Sequence, residues 1–167
     1  MISPEILRRY PFFAGLNYHQ IEALAKVADE IRAEPGFFFF REGEKIYEIF
    51  LLREGAVEIL IELPDQEKSA SVANQLTGDF LSHRAVVSTV GSGDVFGWSG
   101  LISPHITSAG ARAITPCTVV AFDCERLREQ FESDPMFGCI LIEKVAQVMA
   151  SRLSDLRIES LYQKPVD

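Results

Sequence analysis

The sequence predicts a mostly β domain, a sandwich or small barrel, with helices at both ends. Three observations carry this expectation. Short runs rich in aromatic and β-branched residues recur between glycine turns from Phe37 to Phe122. Apolar residues at helical spacing precede that region, and helical spacing returns after Asp123. The chain has 167 residues, of which 47% are hydrophobic and 24% charged, which is the balance of one globular domain with its own core.

The first elements are helical. Ser3-Pro4-Glu5 suits a helix start, with Ser as cap and Pro at the first helical position, and Pro11 ends that helix. Phe12-Phe13-Ala14-Gly15-Leu16 follows as an apolar turn. A second helix begins at Asn17, with Gln20 in capping-box spacing. Ile21, Leu24, Ala25, Ala28 and Ile31 repeat at helical period, so this helix is expected to run to Pro35-Gly36.

The pattern then changes to strands. Phe37 to Phe40, Ile46 to Leu52 and Ala56 to Leu63 are strand-like, separated by the turns Arg41-Glu42-Gly43-Glu44 and Arg53-Glu54-Gly55. Further strands are expected at Ser69 to Leu76, His83 to Val90, Ala109 to Ile114 and Thr118 to Phe122. Pro64 to Arg84 reads as either a long hairpin or a loop. Asp123 caps a helix over Cys124 to Glu132, and Asp134-Pro135 opens a final helix to about Tyr162. Ile142, Ala146, Met149, Leu153 and Leu156 form a heptad-like seam on it. That seam either packs on its own domain or joins two copies through the 136–162 helix.

The domain organisation that follows is an N-terminal helical segment over 1–34, a strand-rich region over 35–123 and C-terminal helices over 124–162.

Several function classes find no support. The formal net charge of −8 argues against a DNA-contacting surface, and no apolar run approaches a membrane span. The three cysteines form no CxxC and cannot all pair, which points to a reducing cytoplasm. His19, His83 and His105 are isolated, and no metal-ligand spacing is present. P-loop, dinucleotide and nucleophile-elbow motifs are absent too, so no enzyme is expected. No cofactor is required by any motif.

Four pieces stand in a definite order: Phe12 to Leu16; Pro35-Gly36 with Arg41 to Glu44; Ile46-Tyr47 with Leu52 to Val57 (LREGAV); and Gly91 to Gly97 (GSGDVFG). Together they resemble the cyclic-nucleotide-binding domains of the catabolite activator protein (Crp/Fnr) superfamily. The resemblance spans about Phe12 to Leu153. It implies a double-stranded β-helix, or jelly roll, with a phosphate-binding cassette over 96–109. In that family a short helix presents backbone N–H groups to the cyclic phosphate, a Glu accepts from the ribose hydroxyl and an Arg neutralises the phosphate.

Here the cassette reads Phe96-Gly97-Trp98-Ser99-Gly100-Leu101, then Ile102 to Ile106, then Thr107-Ser108-Ala109. Gly97, Gly100, Leu101, Ser108 and Ala109 match the family scaffold. Trp98 stands at the Glu position, and the Arg position falls on Thr107, or on Ser108 if the loop closes one residue later. Losing one member of a buried charge pair costs roughly 2–5 kcal/mol, and losing a ribose hydrogen bond about 1 kcal/mol more. The two losses weaken a micromolar site by several orders of magnitude. Ser99, Thr107 and Ser108 still offer hydroxyls. Arg112, on the next strand, either faces water or points into the roll towards an anion. Trp98 stacks on a base, covers the pocket or fills the roll. The region where the family's last helix meets adenine corresponds to Leu156-Arg157.

The expected ligand site is therefore Gly97, Trp98, Ser99, Gly100, Leu101, Thr107, Ser108, Ala109 and Arg112. The expected function is regulatory: a stand-alone sensory domain without a helix-turn-helix segment, binding a small anionic ligand or a cyclic nucleotide and signalling through its C-terminal helices. The alternative is a ligand-free β-roll used for dimerisation or partner binding.

Overall fold

The computed structural model describes residues 2–64 and 82–162. The strand expected over Ser69 to Leu76 lies outside them. Pro4–Leu7 forms α1, and a 3-10 turn at Pro11–Phe13 leads to α2 at Tyr18–Lys26. The α2 capping box is complete: the Gln20 N–H donates to the Asn17 side chain and the Asn17 N–H donates to Gln20, each at 3.0 Å. Among the described residues eight strands follow: β1 (Ala28–Ala33), β2 (Phe38–Phe40), β3 (Glu48–Glu54), β4 (Val57–Pro64), β5 (Ser82–Val90), β6 (Val95–Phe96), β7 (Gly110–Ala113) and β8 (Cys117–Asp123). They form two four-stranded sheets, ordered β1-β8-β3-β6 and β2-β7-β4-β5, and every pairing is antiparallel. The chain ends in α3 (Cys124–Ser133) and α4 (Pro135–Tyr162). This is the expected mostly β jelly roll with flanking helices.

One expected element is corrected. The helix does not run to Pro35; it ends at Lys26, and Ala28 to Ala33 pair with β8 from Ala28↔Phe122 to Ala33↔Cys117. Ala25, Ala28 and Ile31 continue the helical spacing by coincidence, and ladder pairing overrides it. β1 is an edge strand, and its charged Asp29, Glu30 and Arg32 suit an edge that must not pair further.

Why β3 and β8 read as unbroken apolar runs is now plain, since both of their faces are covered. Ile49, Leu51, Val120 and Phe122 face the helices, against Leu7, Phe13, Leu24, Leu127, Phe137, Leu141 and Val145. Phe50, Leu52, Val119 and Ala121 alternate to the roll interior, where they meet Phe40, Val57, Val90 and Phe96. Each fully buried Phe or Leu contributes about 1.5–3 kcal/mol. The helical layer is therefore as integral to the fold as the roll.

α4 docks through Phe137, Leu141 and Val145, spaced by four. Its start is fixed by Asp134, whose carboxylate accepts from the Phe137 N–H at 3.1 Å and from Gln20 Nε2 at 2.8 Å. These bonds, the Gln20 one foremost, hold the Asp134 carboxyl below the usual aspartate range. The heptad-like residues occupy a different face. Ile142, Ala146, Met149, Leu153 and Leu156 are all exposed, so the seam takes no part in that docking contact.

Candidate functional site

The cassette begins where β6 hands the chain to a 3-10 turn at Trp98–Gly100. Two glycines make that turn feasible. Gly97 is left-handed at φ 76°, and a Cβ there would stand 2.8 Å from the Phe50 ring. Gly100 lies directly on β3, where a Cβ would stand 2.3 Å from the Glu48 carbonyl oxygen. Trp98 and Ser99 come too early in the turn for their N–H groups to be used within it.

The far side of the cassette is pinned to the Arg41–Glu44 turn. The Gly43 N–H donates to the Thr107 carbonyl at 2.8 Å, and the Thr107 N–H donates to the Glu44 carbonyl at 2.9 Å. The Thr107 hydroxyl donates to the Arg41 carbonyl, and the residue is buried. A hydroxyl so engaged holds a turn, and it cannot stand in for an arginine facing a phosphate.

A cavity of about 680 Å³ opens beside this cassette. Its walls are Phe40, Ile59, Ile61 and Phe96 from the roll, Val87, Ser88 and Thr89 from β5, and Gly97, Trp98, Ser99, Thr107, Ser108 and Ala109 from the cassette. α4 supplies the roof with Met149, Ala150, Arg152, Leu153, Asp155, Leu156 and Glu159. Such a volume is ordinary for organic ligands of moderate size. Trp98 therefore lines an open space and does not fill the roll. Leu156 is a lining residue and Arg157 is not.

The structure thus brings together Gly97, Trp98, Ser99, Thr107, Ser108 and Ala109. Gly100 and Leu101 are buried behind the wall and support it. Arg112 is a correction. It is not in the cavity wall; its Nε donates to Glu58 Oε1 at 2.6 Å across the β4–β7 ladder, where the two residues are partners. Glu58 is buried, and a buried carboxylate without that partner would be costly. Arg112 serves the sheet, so it is not spare for an anion.

The cation that does line the cavity is Arg152, whose Nη1 donates to Ser88 Oγ at 3.0 Å. The sequence reading passed over it. A signal was present, because Arg152 lies three residues after Met149 and four before Leu156, on the apolar seam itself. A second arginine was also missed. Arg128 of α3 donates to the Gly100 carbonyl at 2.8 Å and lies 3.2 Å from the His105 ring nitrogens. His105 Nδ1 is 3.0 Å from the Ser99 carbonyl, and its ring packs 5.5 Å from that of Tyr47. α3 is thereby tied to the cassette backbone.

Other reactive groups are quiet. Burial pushes the Cys124 thiol up to about 12, and Cys117 is also buried, which leaves Cys139 exposed. Among the described residues no cluster of His, Cys, Asp or Glu is suited to a metal. No described helix is long and apolar enough to cross a membrane.

Comparison with known proteins agrees with this geometry. Residues 30–134 match the cyclic nucleotide-binding domain family. A CRP-like cAMP-activated global transcriptional regulator of Mycobacterium tuberculosis is 26% identical over 149 residues, which is 89% of this chain and 58% of the relative. The chain thus spans less than two thirds of that regulator. A candidate cyclic nucleotide-binding protein from Geobacter metallireducens GS-15 is 33% identical, with a TM-score of 0.73, covering 92% of this chain and 99% of that one. A cyclic nucleotide-binding domain from Methylobacillus flagellatus KT, 16% identical, shares the fold at a TM-score of 0.74 over 98% of this chain and 83% of that one. With its roll, its cassette and these matches, the chain belongs to the cyclic nucleotide-binding domain family.

Proposed function

We propose that this protein is a regulatory domain that binds a small anionic ligand in the cassette cavity and relays occupancy through α3 and α4. One observation carries the reading: the cavity has two independently anchored walls, the roll with its cassette on one side and α4 on the other. A ligand that touches both has a different affinity for each arrangement of α4, and that difference is all a population shift requires. The bond from Arg128 to the Gly100 carbonyl gives α3 a stake in the cassette position. The cAMP-activated relative from M. tuberculosis is a precedent for such a role.

The experiment is a thermal-shift and calorimetric series with cyclic AMP, cyclic GMP, cyclic dinucleotides and small organic anions. Hydrogen exchange is then followed in the presence of any compound that stabilises. The expected outcome is saturable stabilisation, with amides of 97–109 and 149–159 protected together. Protection of the cassette alone would remove the relay. No stabilisation by any compound would remove ligand sensing altogether.

A second reading, dimerisation or partner binding, rests on the α4 seam. Met149, Leu153 and Leu156 are 40%, 50% and 38% exposed and lie along α4 at heptad-like spacing. Replacing Met149 and Leu156 with Glu is expected to lower the solution mass to that of a monomer. An unchanged mass would refute self-association through α4. No DNA binding is expected of this chain, in keeping with its net charge of −8. A tight, salt-sensitive gel shift with duplex DNA would overturn that expectation.

A further inference from the structure

We infer that the cavity is built for an amphipathic monocarboxylate, a single negative charge on a large apolar body, held by Arg152; this deepens and rests on the ligand-sensing reading above. Two features of the wall define the ligand. Its body is apolar, formed by Phe40, Ile59, Ile61, Phe96, Trp98 and Leu153. The sugar and phosphate contacts of a nucleotide have no charged side chain on the cassette, where Trp98 and Thr107 stand and the Thr107 hydroxyl is already committed.

The charge is on the opposite wall. Arg152 is half-buried, reaches across from α4 to Ser88 on β5, and is the only cation among the described lining residues. Among the described residues no carboxylate lies within salt-bridge distance of it, and Ser88 is its only hydrogen-bond partner. A guanidinium has five N–H donors, so most of the capacity of this cavity-lining side chain is left unused by the described residues. Its flat fork matches a carboxylate through two parallel bonds. The number of charges is limited as well. Asp155 and Glu159 lie three and seven residues further along the same helix and also line the cavity, so a second or third negative charge on the ligand is repelled. Because Arg152 belongs to α4 and the apolar body sits in the roll, such a ligand would join the two walls.

Decanoate is the probe, with decanol as its uncharged counterpart and cyclic AMP as the nucleotide. Binding is measured by calorimetry on the full chain, with decanoate kept below its micelle threshold. Decanoate is expected to bind saturably, at least tenfold more tightly than decanol, and cyclic AMP is expected not to bind at 1 mM. In Arg152→Gln the decanoate affinity is expected to fall by about 10- to 100-fold while that of decanol stays the same, as loss of a charge-assisted contact requires. Equal decanoate binding in Arg152→Gln and the parent, or equal binding of decanol and decanoate, would overturn the inference. Tight cyclic AMP binding would also overturn it while leaving ligand sensing intact. If none of the three bound, the inference would fall, and the ligand-sensing reading would be decided by the wider series of cyclic nucleotides and anions. Unchanged decanol binding in the variant serves as the control that the roll is still folded.

Discussion

Replacing Gly100 with alanine tests how the cassette is seated. The new methyl would lie 2.3 Å from the Glu48 carbonyl oxygen, 2.7 Å from its carbon and 2.9 Å from its nitrogen. All three are backbone atoms of β3, which is paired on both sides, with β8 and with β6. No rotamer relieves the contact; the turn must lift off the strand by about an ångström to restore ordinary van der Waals spacing. Overpacking into immobile surroundings costs about 1–3 kcal/mol and sometimes more. Lifting the turn also strains the bond from Arg128 to the Gly100 carbonyl, so a loss of about 3 kcal/mol is expected. For a domain of this size that is a fall in Tm of roughly 6–12 °C. Gly97→Ala provides the comparison. Its cost comes from positive φ, about 1–2 kcal/mol, plus a Phe50 ring edge that can give slightly. Chemical denaturation of both variants, with far-UV circular dichroism as the signal, measures the two losses. A Gly100→Ala variant within ~0.5 kcal/mol of the parent would refute the seating argument.

Three further outcomes are expected. Arg128→Met should destabilise by about 1.5–3 kcal/mol, because it leaves the Gly100 carbonyl without its charged donor, and its hydrogen exchange should rise at 98–109 rather than across the sheets. Thiol labelling of the native protein should modify Cys139 rapidly, while Cys117 and Cys124 react only on unfolding; fast labelling of Cys124 would contradict its burial. The Asp134 carboxyl, held below its usual value by Gln20, contributes stability that is present above the unfolded aspartate value and is lost as pH falls through the lower folded one. The Tm gap between the parent and Gln20→Leu should therefore be full at neutral pH and narrow below pH ~4, the ordinary aspartate value. A gap that does not change with pH would mean that the bond from Gln20 to Asp134 does not govern the junction of α2 and α4.

Much of the roll was legible along the chain because its signals are local. Glycine turns, the Asn17–Gln20 capping box and the Asp123 cap need only neighbouring residues, and each stands where the sequence predicts it. The Asp123 side chain accepts from both Glu125 and Arg126 N–H groups, as a cap should. β1 was misread since its spacing mimics the helix before it, and the strand exists only by virtue of β8, some 90 residues away in the chain. β6 was missed for a similar reason: two residues carry no periodicity, and pairing with β3 alone defines them.

The site divides along the same line. Identity at single positions told from the sequence that the cassette lacks its charged pair, Trp98 and Thr107 standing where Glu and Arg are expected. It could not tell which arginine lines the cavity, because that depends on side-chain direction and on distant elements. Arg112 sits close in sequence and is consumed by Glu58, whereas Arg152, far along α4, is carried to Ser88 by the docking of Phe137, Leu141 and Val145. The sequence by itself determined a β-rich domain and its turns, since these rest on residue type and short spacing, and its resemblance to the family pointed to the roll and the missing charges. Only the tertiary structure decided the open cavity and the charge that faces it, since both arise where a helix and a sheet, each folded by its own rules, come to share a wall.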